Sequence, residues 1–199
     1  MTSNHPDRPA SSERRSDRGS GHTRAAILRA ARERFASQGY DRTTIRAVAA
    51  DADIDPSMVM RYYGSKAQLF EAALAIDLRL PDLTGVSAHE LPQLLVRHFL
   101  HRWESDPADD ALLVLMRSAV TNDHAARRTH EIFATQVAPA LAGAVGRELA
   151  ERRAGLVASQ LLGVALTRYL LRLPAVTALA PEEIVHVLTP AVRAVLEAD

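Results

Sequence analysis

The sequence predicts an all-α protein of about nine helices, on three observations. From Thr23 to Asp199 apolar residues recur at three- and four-residue intervals, and no stretch alternates as a half-buried strand would. Ser, Thr and Asp stand where helices would start, and Gly and Pro stand where they would stop. The 199 residues are 47% hydrophobic and 24% charged, enough to bury a core.

Met1 to His22 is rich in Ser, Arg, Asp, Gly and Pro, so residues 1–22 are expected to form a disordered arm. Thr23 to Gln38 carries the stripe Ala26, Ile27, Ala30, Ala31 and Phe35; Gly39 stops it and Tyr40 folds back onto a small core. Thr44 caps a second helix, Ile45 to Ala52. Asp55-Pro56 opens a third, ending near Tyr63-Gly64. Ser65-Lys66-Ala67-Gln68 is a capping box that opens a fourth, reaching Asp77. The pattern divides the ordered chain into residues 23–74 and 75–199. In the second part, Ser87-Ala88-His89-Glu90 opens a helix to Glu104, and Asp106-Pro107 opens the next, with Asp109 and Asp110 in its first turn. Asn122-Asp123 caps a helix to Gly146 that should bend at Pro139. A long helix over 148–173 is apolar nearly all round, so it must be buried on more than one side. The last helix runs from Pro181 to Glu197 and should kink at Pro190.

Composition excludes several classes. No Cys is present, so disulfide scaffolds, thiolate metal sites and Cys nucleophiles are out. The most apolar stretch, Gly155 to Thr167, holds Ser159 and Gln160 and stops at Arg168, too short to span a membrane. With no apolar leader in residues 1–22, a cytoplasmic protein is expected. No two helices each carrying Glu-x-x-His, no Gly-rich phosphate loop and no serine elbow are found, so neither an enzyme nor a cofactor is expected. His98, His101 and Glu104 share a helix face, but without a second ligand cluster a surface role is expected rather than a metal site. Net charge is zero, yet residues 1–66 carry +4 and residues 67–199 carry −4, a polarity suited to an anionic partner of the first third.

Ile45 to Gly64 fits a helix-turn-helix. Ala49 is the small residue where the helices cross, and Val48, Ala52, Ile54, Val59 and Tyr62 stand where residues must hold them together. Asp53 occupies the turn position that needs a left-handed backbone, which Asp tolerates better than most residues. The second helix then offers its first half to a DNA major groove. Candidate contacts are Thr44 toward phosphate, Arg46 toward phosphate or a guanine edge, Pro56, Ser57, Met58 and Arg61 at or near the start of the recognition helix, and Tyr62 toward phosphate through its hydroxyl. Lys66, the only Lys, stands at a helix start, where a point charge adds to the dipole and suits phosphate. Arg14, Arg15, Arg18 and Arg24 either follow the DNA from the arm or make no contact.

Residues 23–74 resemble the DNA-binding domain of the tetracycline-repressor (TetR) family of bacterial regulators. The resemblance rests on Gly39-Tyr40, Thr43-Thr44, Val48-Ala49, Ala52-Asp53-Ile54-Asp55, Val59-Met60-Arg61-Tyr62-Tyr63 and Ser65-Lys66-Ala67-Gln68-Leu69. Two departures stand out: Asp53 replaces Gly in the turn, and Met60 replaces a Tyr that commonly touches DNA. The resemblance implies a larger helical ligand-binding and dimerisation domain over 75–199. It implies a homodimer through the last two long helices, here Val157, Leu161, Val164, Ile184, Val187, Leu188 and Val195. It also implies an unidentified small-molecule effector between the helices, with Phe70, Leu74, Phe99, Trp103, Leu113, Met116, Phe133 and Tyr169 as lining candidates. The expected partners are palindromic double-stranded operator DNA, a second copy of the chain and that effector, without a membrane. The expected function is a repressor released by a small, largely apolar ligand. The alternatives are a ligand-independent regulator, or an all-helical enzyme or metal-binding bundle.

Overall fold

In the computed structural model, which describes residues 10–105 and 111–198, every regular element is helical among those residues. The elements are α1 (Ala10–Arg42), α2 (Ile45–Asp51), α3 (Pro56–Tyr63), α4 (Lys66–Ala73), α5 (Leu91–Glu104), α6 (Ala111–Ser118), α7 (Asp123–Ile132), α8 (Ala138–Val145), α9 (Arg147–Ala165), α10 (Pro174–Thr177) and α11 (Pro181–Glu197). One compact unit ends at Ala73 and the other begins at Leu74.

In the first unit α1 starts at Ala10, not at Thr23, so residues 10–22, expected in the arm, continue the helix. That stretch has no apolar stripe, and periodicity could not reveal it. The rest of the expected arm, residues 1–9, lies outside the described residues, as does the Asp106-Pro107 helix start with Asp109 and Asp110. Gly39 breaks the helical backbone with φ 78° and ψ 176°, a conformation that L side chains rarely adopt. The chain turns there and Tyr40 packs back: its ring lies 4.8 Å from Phe70, which meets Phe35 edge-on at 4.8 Å. Ile27, Ala31, Phe35, Val48, Ala49, Val59, Leu69 and Phe70 form the sealed centre of this unit.

The second unit gathers α5, α8, α9 and α11 around Leu91, Leu95, Val96, Leu100, Leu141, Ala154, Val157, Ile184, Val192 and Leu196. The expected bend at Pro139 takes the form of a π turn, Phe133–Val137, between α7 and α8. Pro139 has no N–H for the carbonyl four residues back, and the register slips so that the Ala138 N–H donates to the Phe133 carbonyl. The long helix ends in a second π turn, Leu166–Leu170, and stops at Arg172, whose φ is 52°. α10 was not expected. Pro190 lies inside α11 on its exposed side, where water can serve the freed His186 carbonyl. α4 ends at Ala73 rather than Asp77. Side chains take over carbonyls that further helix would have used: Arg32 Nε donates to Ala73 O at 3.2 Å and Gln136 Nε2 to Ile76 O at 2.9 Å.

Candidate nucleic-acid interface

The helix-turn-helix is built from α2, the turn 52–55 and α3. The Thr44 hydroxyl accepts the Ala47 N–H at 3.2 Å and starts α2. Ala49 is fully buried at the crossing, and its carbonyl accepts the Ile54 N–H at 2.9 Å across the turn. Asp53 has φ 54°, the left-handed conformation this turn requires. Asp55 Oδ1 accepts the Ser57 N–H at 2.8 Å and also the Ser57 hydroxyl, which fixes the first turn of α3 with Pro56 at its start. Val59 is fully buried, whereas Ala52 and Ile54 are half-buried. Of the two tyrosines, Tyr63 is the buried one: its hydroxyl donates to Arg24 O at 3.1 Å and Arg24 lies over its ring. Tyr62, expected to hold the helices together, is half-buried, and its hydroxyl donates to Ser20 Oγ at 3.3 Å. Gly64, with φ 73°, ends α3, and a Cβ there would meet Gln68 Oε1 at 2.3 Å.

This frame sends one face of α3 outward. Ser57, Met60 and Arg61 are exposed at helical spacing, while Pro56 and Met58 are half-buried beside them. Met60, 44% exposed, is the large apolar group of that face, and Ser57 plus three was the signal for it. Thr44 and Arg46 are exposed at the start of α2. Lys66 is half-buried; its Nζ lies 4.3 Å from the Tyr40 ring centroid and donates to Asp41 O at 3.2 Å. These bonds use part of a three-donor ammonium and fix where its charge sits.

Two acidic groups of this segment, Asp51 and Asp55, have side-chain partners. Asp51 takes a two-pronged ion pair from Arg34, whose NH2 lies 2.8 Å from Oδ1; that hydrogen bonding holds the Asp51 carboxyl below the usual carboxylate range. The Ser57 hydroxyl and N–H do the same for Asp55. Arg46, Arg61 and Lys66 are the cations this segment offers to a polyanion read through one helix.

Comparison with known proteins agrees with this geometry. Residues 89–196 match the family described as Tetracyclin repressor-like, C-terminal domain, and residues 27–73 match Bacterial regulatory proteins, tetR family. The chain belongs to the TetR family. An HTH-type transcriptional repressor of Mycobacterium tuberculosis (strain ATCC 25618 / H37Rv) is 36% identical over 95 residues, 48% of this chain and 50% of that one. The chain spans about half the length of the curated relatives it matches. The crystal structure of a TetR-family regulator from Streptomyces coelicolor A3 is 26% identical with TM-score 0.56, covering 96% of this chain and 99% of that one. A TetR-like transcriptional regulator from Rhodococcus sp. RHA1, 22% identical with TM-score 0.62 over 89% and 97% of the two chains, shares the fold. The α2–α3 helix-turn-helix lies within the matched tetR-family region, residues 27–73.

The second unit of this TetR-family chain holds a cavity of about 190 Å³. Of the residues considered for a ligand site, Phe99, Trp103 and Phe133 line it. Phe70 sits instead in the aromatic core of the first unit. Leu113 and Met116 are a helical step out of phase with Leu112 and Leu115, which do line it. Leu74 does not line it; its carbonyl accepts from Arg128 Nε at 3.2 Å. Tyr169 lies behind the wall, stacked on Trp103 at 4.8 Å and 2°. Its hydroxyl donates to Glu104, which also pairs with Arg168; burial, and then this contact, push the Tyr169 phenol up. Leu78, Leu80, His98, Arg102, Thr129 and Ala158 are lining residues that aromatic content did not point to.

The expected subunit-contact residues divide between two environments. Val157 and Ile184 are 4% and 5% exposed and belong to the chain's own core, and Val157 and Leu161 line the cavity. Val164, Leu188 and Val195 pack against that core half-buried. Val187 is 73% exposed. Both faces of α9 are apolar, so hydrophobicity alone could not tell core from outer face. Leu156 and, in the following π turn, Leu166 are on the exposed side, while Leu162 is partly exposed and also lines the cavity. His98, His101 and Glu104 do not converge: His98 Nε2 bonds Leu78 O, His101 Nδ1 bonds Ser105 Oγ, and Glu104 takes Arg168 and Tyr169. Among the described residues no cluster has the makings of a metal site, and no helix is long and apolar enough to cross a membrane.

Proposed function

We propose that the chain acts in the cytoplasm as a homodimeric repressor. Two copies of α3 occupy major grooves of a palindromic operator, and a small, largely apolar ligand releases them. The reading is carried by the exposed face of Ser57, Met60 and Arg61 on a helix capped by Asp55 and flanked by Arg46 and Lys66. Arg61 is placed to reach a base edge, Met60 and the partly covered Met58 to meet a thymine methyl, and Lys66, Thr44 and Arg46 to hold phosphates. Tyr62, bonded to Ser20, steadies the end of α3 and offers its hydroxyl oxygen beside the backbone path.

Dimerisation is supported by Leu156 of α9, Leu166 in the following π turn and Val187 on α11, which a single chain leaves in water. An isologous contact buries the same surface on both copies and gives the two-fold axis that a palindrome needs. Repression is supported by the name of the mycobacterial relative, and ligand release by the cavity walled by Phe99, Trp103 and Phe133. The reading assigns no catalysis to the chain.

A gel-shift titration on the DNA upstream of its own gene, repeated with candidate apolar ligands, tests it. The expected result is a discrete dimer–DNA complex that a cavity ligand dissolves. Discrete binding that no cavity ligand weakens would favour a ligand-independent regulator, and no discrete complex would overturn operator binding.

A further inference from the structure

The cavity of the second unit is specific enough to limit the chemistry of its occupant. Its volume of about 190 Å³ is modestly larger than the roughly 150 Å³ apolar cavity that accepts benzene. Leu95, Phe99, Trp103, Phe133, Val157 and Leu161 make up most of the wall. Trp103 is held from behind by the Tyr169 ring, so one aromatic wall is fixed before any ligand arrives. The polar residues at the wall already have partners within the protein. His98 Nε2 lies 3.0 Å from Leu78 O and must donate to it, because a carbonyl only accepts. Arg102 Nε donates to Asp77 O at 3.4 Å, and Thr129 Oγ1 to Ala125 O at 2.9 Å. The buried polar side-chain atoms that lack a partner belong to Gln160, Thr189 and Arg193, none of which lines the cavity. The surface the wall turns to the cavity is almost wholly apolar. A carboxylate or ammonium placed against that surface would lose its hydration and meet very little polar surface in return.

We infer that this cavity takes an uncharged arene or compact hydrocarbon of about six to ten carbon atoms, held by shape and ring contacts and without an ionic anchor. The inference rests on the ligand-released reading above and narrows its ligand to one chemical class. Aromatic acids, amines and long acyl chains fall outside it.

Toluene, naphthalene and benzoate, titrated into the full chain, test it. Trp103 is the only Trp, so its fluorescence reports the cavity wall directly. Toluene should bind with one site per chain, shift Trp103 emission and raise the melting temperature, while benzoate at the same concentration does neither. Ala158→Phe fills the cavity and should weaken toluene binding by about tenfold or more. Phe133→Ala enlarges it and should shift the preference from toluene toward naphthalene by about tenfold, which keeps the test intact if the filled variant fails to fold. Benzoate binding as tightly as toluene would overturn the inference. So would toluene affinity and preference unchanged in both variants, or no binding of either arene up to its solubility. Operator affinity, measured separately, distinguishes the two readings. Toluene that binds in the cavity but leaves operator affinity unchanged supports the ligand class and removes ligand release. Benzoate that releases the operator from the cavity retains ligand release and removes the class.

Discussion

Lys66 and Arg61 carry the same charge but should do different work on DNA. Lys66 is pinned against the Tyr40 ring and the Asp41 carbonyl at the start of α4, a place from which a point charge meets phosphate but no base edge. Lys66→Ala should weaken binding to all sequences alike and lower the slope of log affinity against log salt by about one unit per half-site. Arg61 stands exposed on the outward face of α3. Arg61→Ala should cost about 1–3 kcal/mol on the preferred operator and relax the preference at one position. Affinity titrations across salt, on operator and on scrambled DNA, separate the two. Loss of specificity in the Lys66 variant with none in the Arg61 variant would reverse the roles.

The recognition helix depends on the ionised cap at its start. The Ser57 hydroxyl and N–H hold the Asp55 carboxyl below the usual carboxylate range. The folded-state value is thus below the unfolded one. The stability this provides is present above the unfolded value and is lost as pH falls through the folded one. Asp55→Asn keeps the capping oxygen and loses the charge. The stability difference between wild type and this variant, followed by urea unfolding, should be steady at neutral pH and narrow below about pH 4. A difference independent of pH would place the effect elsewhere. This cap was legible in the sequence because Asp-Pro states it locally, and so were the Thr44 cap, the Gly39 stop and the left-handed Asp53. What the sequence concealed was phase and register. Tyr62 and Tyr63 are adjacent, and only packing on Arg24 decides which is buried. Leu112 and Leu113 raise the same question on α6. The helical continuation of α1 over residues 10–22 was also concealed, because it has no apolar stripe. So was the π turn at Phe133–Val137, since Pro139 announces a bend but not its form.

Across the whole molecule the apolar surface of α9 has two destinations. Ala154, Val157 and Ala165 face the core, whereas Leu156 is exposed, as is Val187 of α11. Leu156→Arg or Val187→Arg leaves the core intact and puts an unpaired charge on the proposed two-fold contact. Each variant should remain folded by circular dichroism, sediment as a monomer and lose most operator affinity, because one half-site alone binds weakly. A Leu156→Arg, Val187→Arg double variant that stays dimeric and binds operator would place the interface elsewhere. The most direct test of a two-fold regulator that reads DNA through α3 is selection of bound sequences from a random DNA pool by the full chain. The predicted result is an inverted repeat whose half-site centres lie about 34–36 Å apart, roughly one helical turn or a multiple of it. Substitution of Arg61 should alter the preferred base at one symmetric pair of positions. Enrichment of a single asymmetric site, or no enrichment at all, would contradict it.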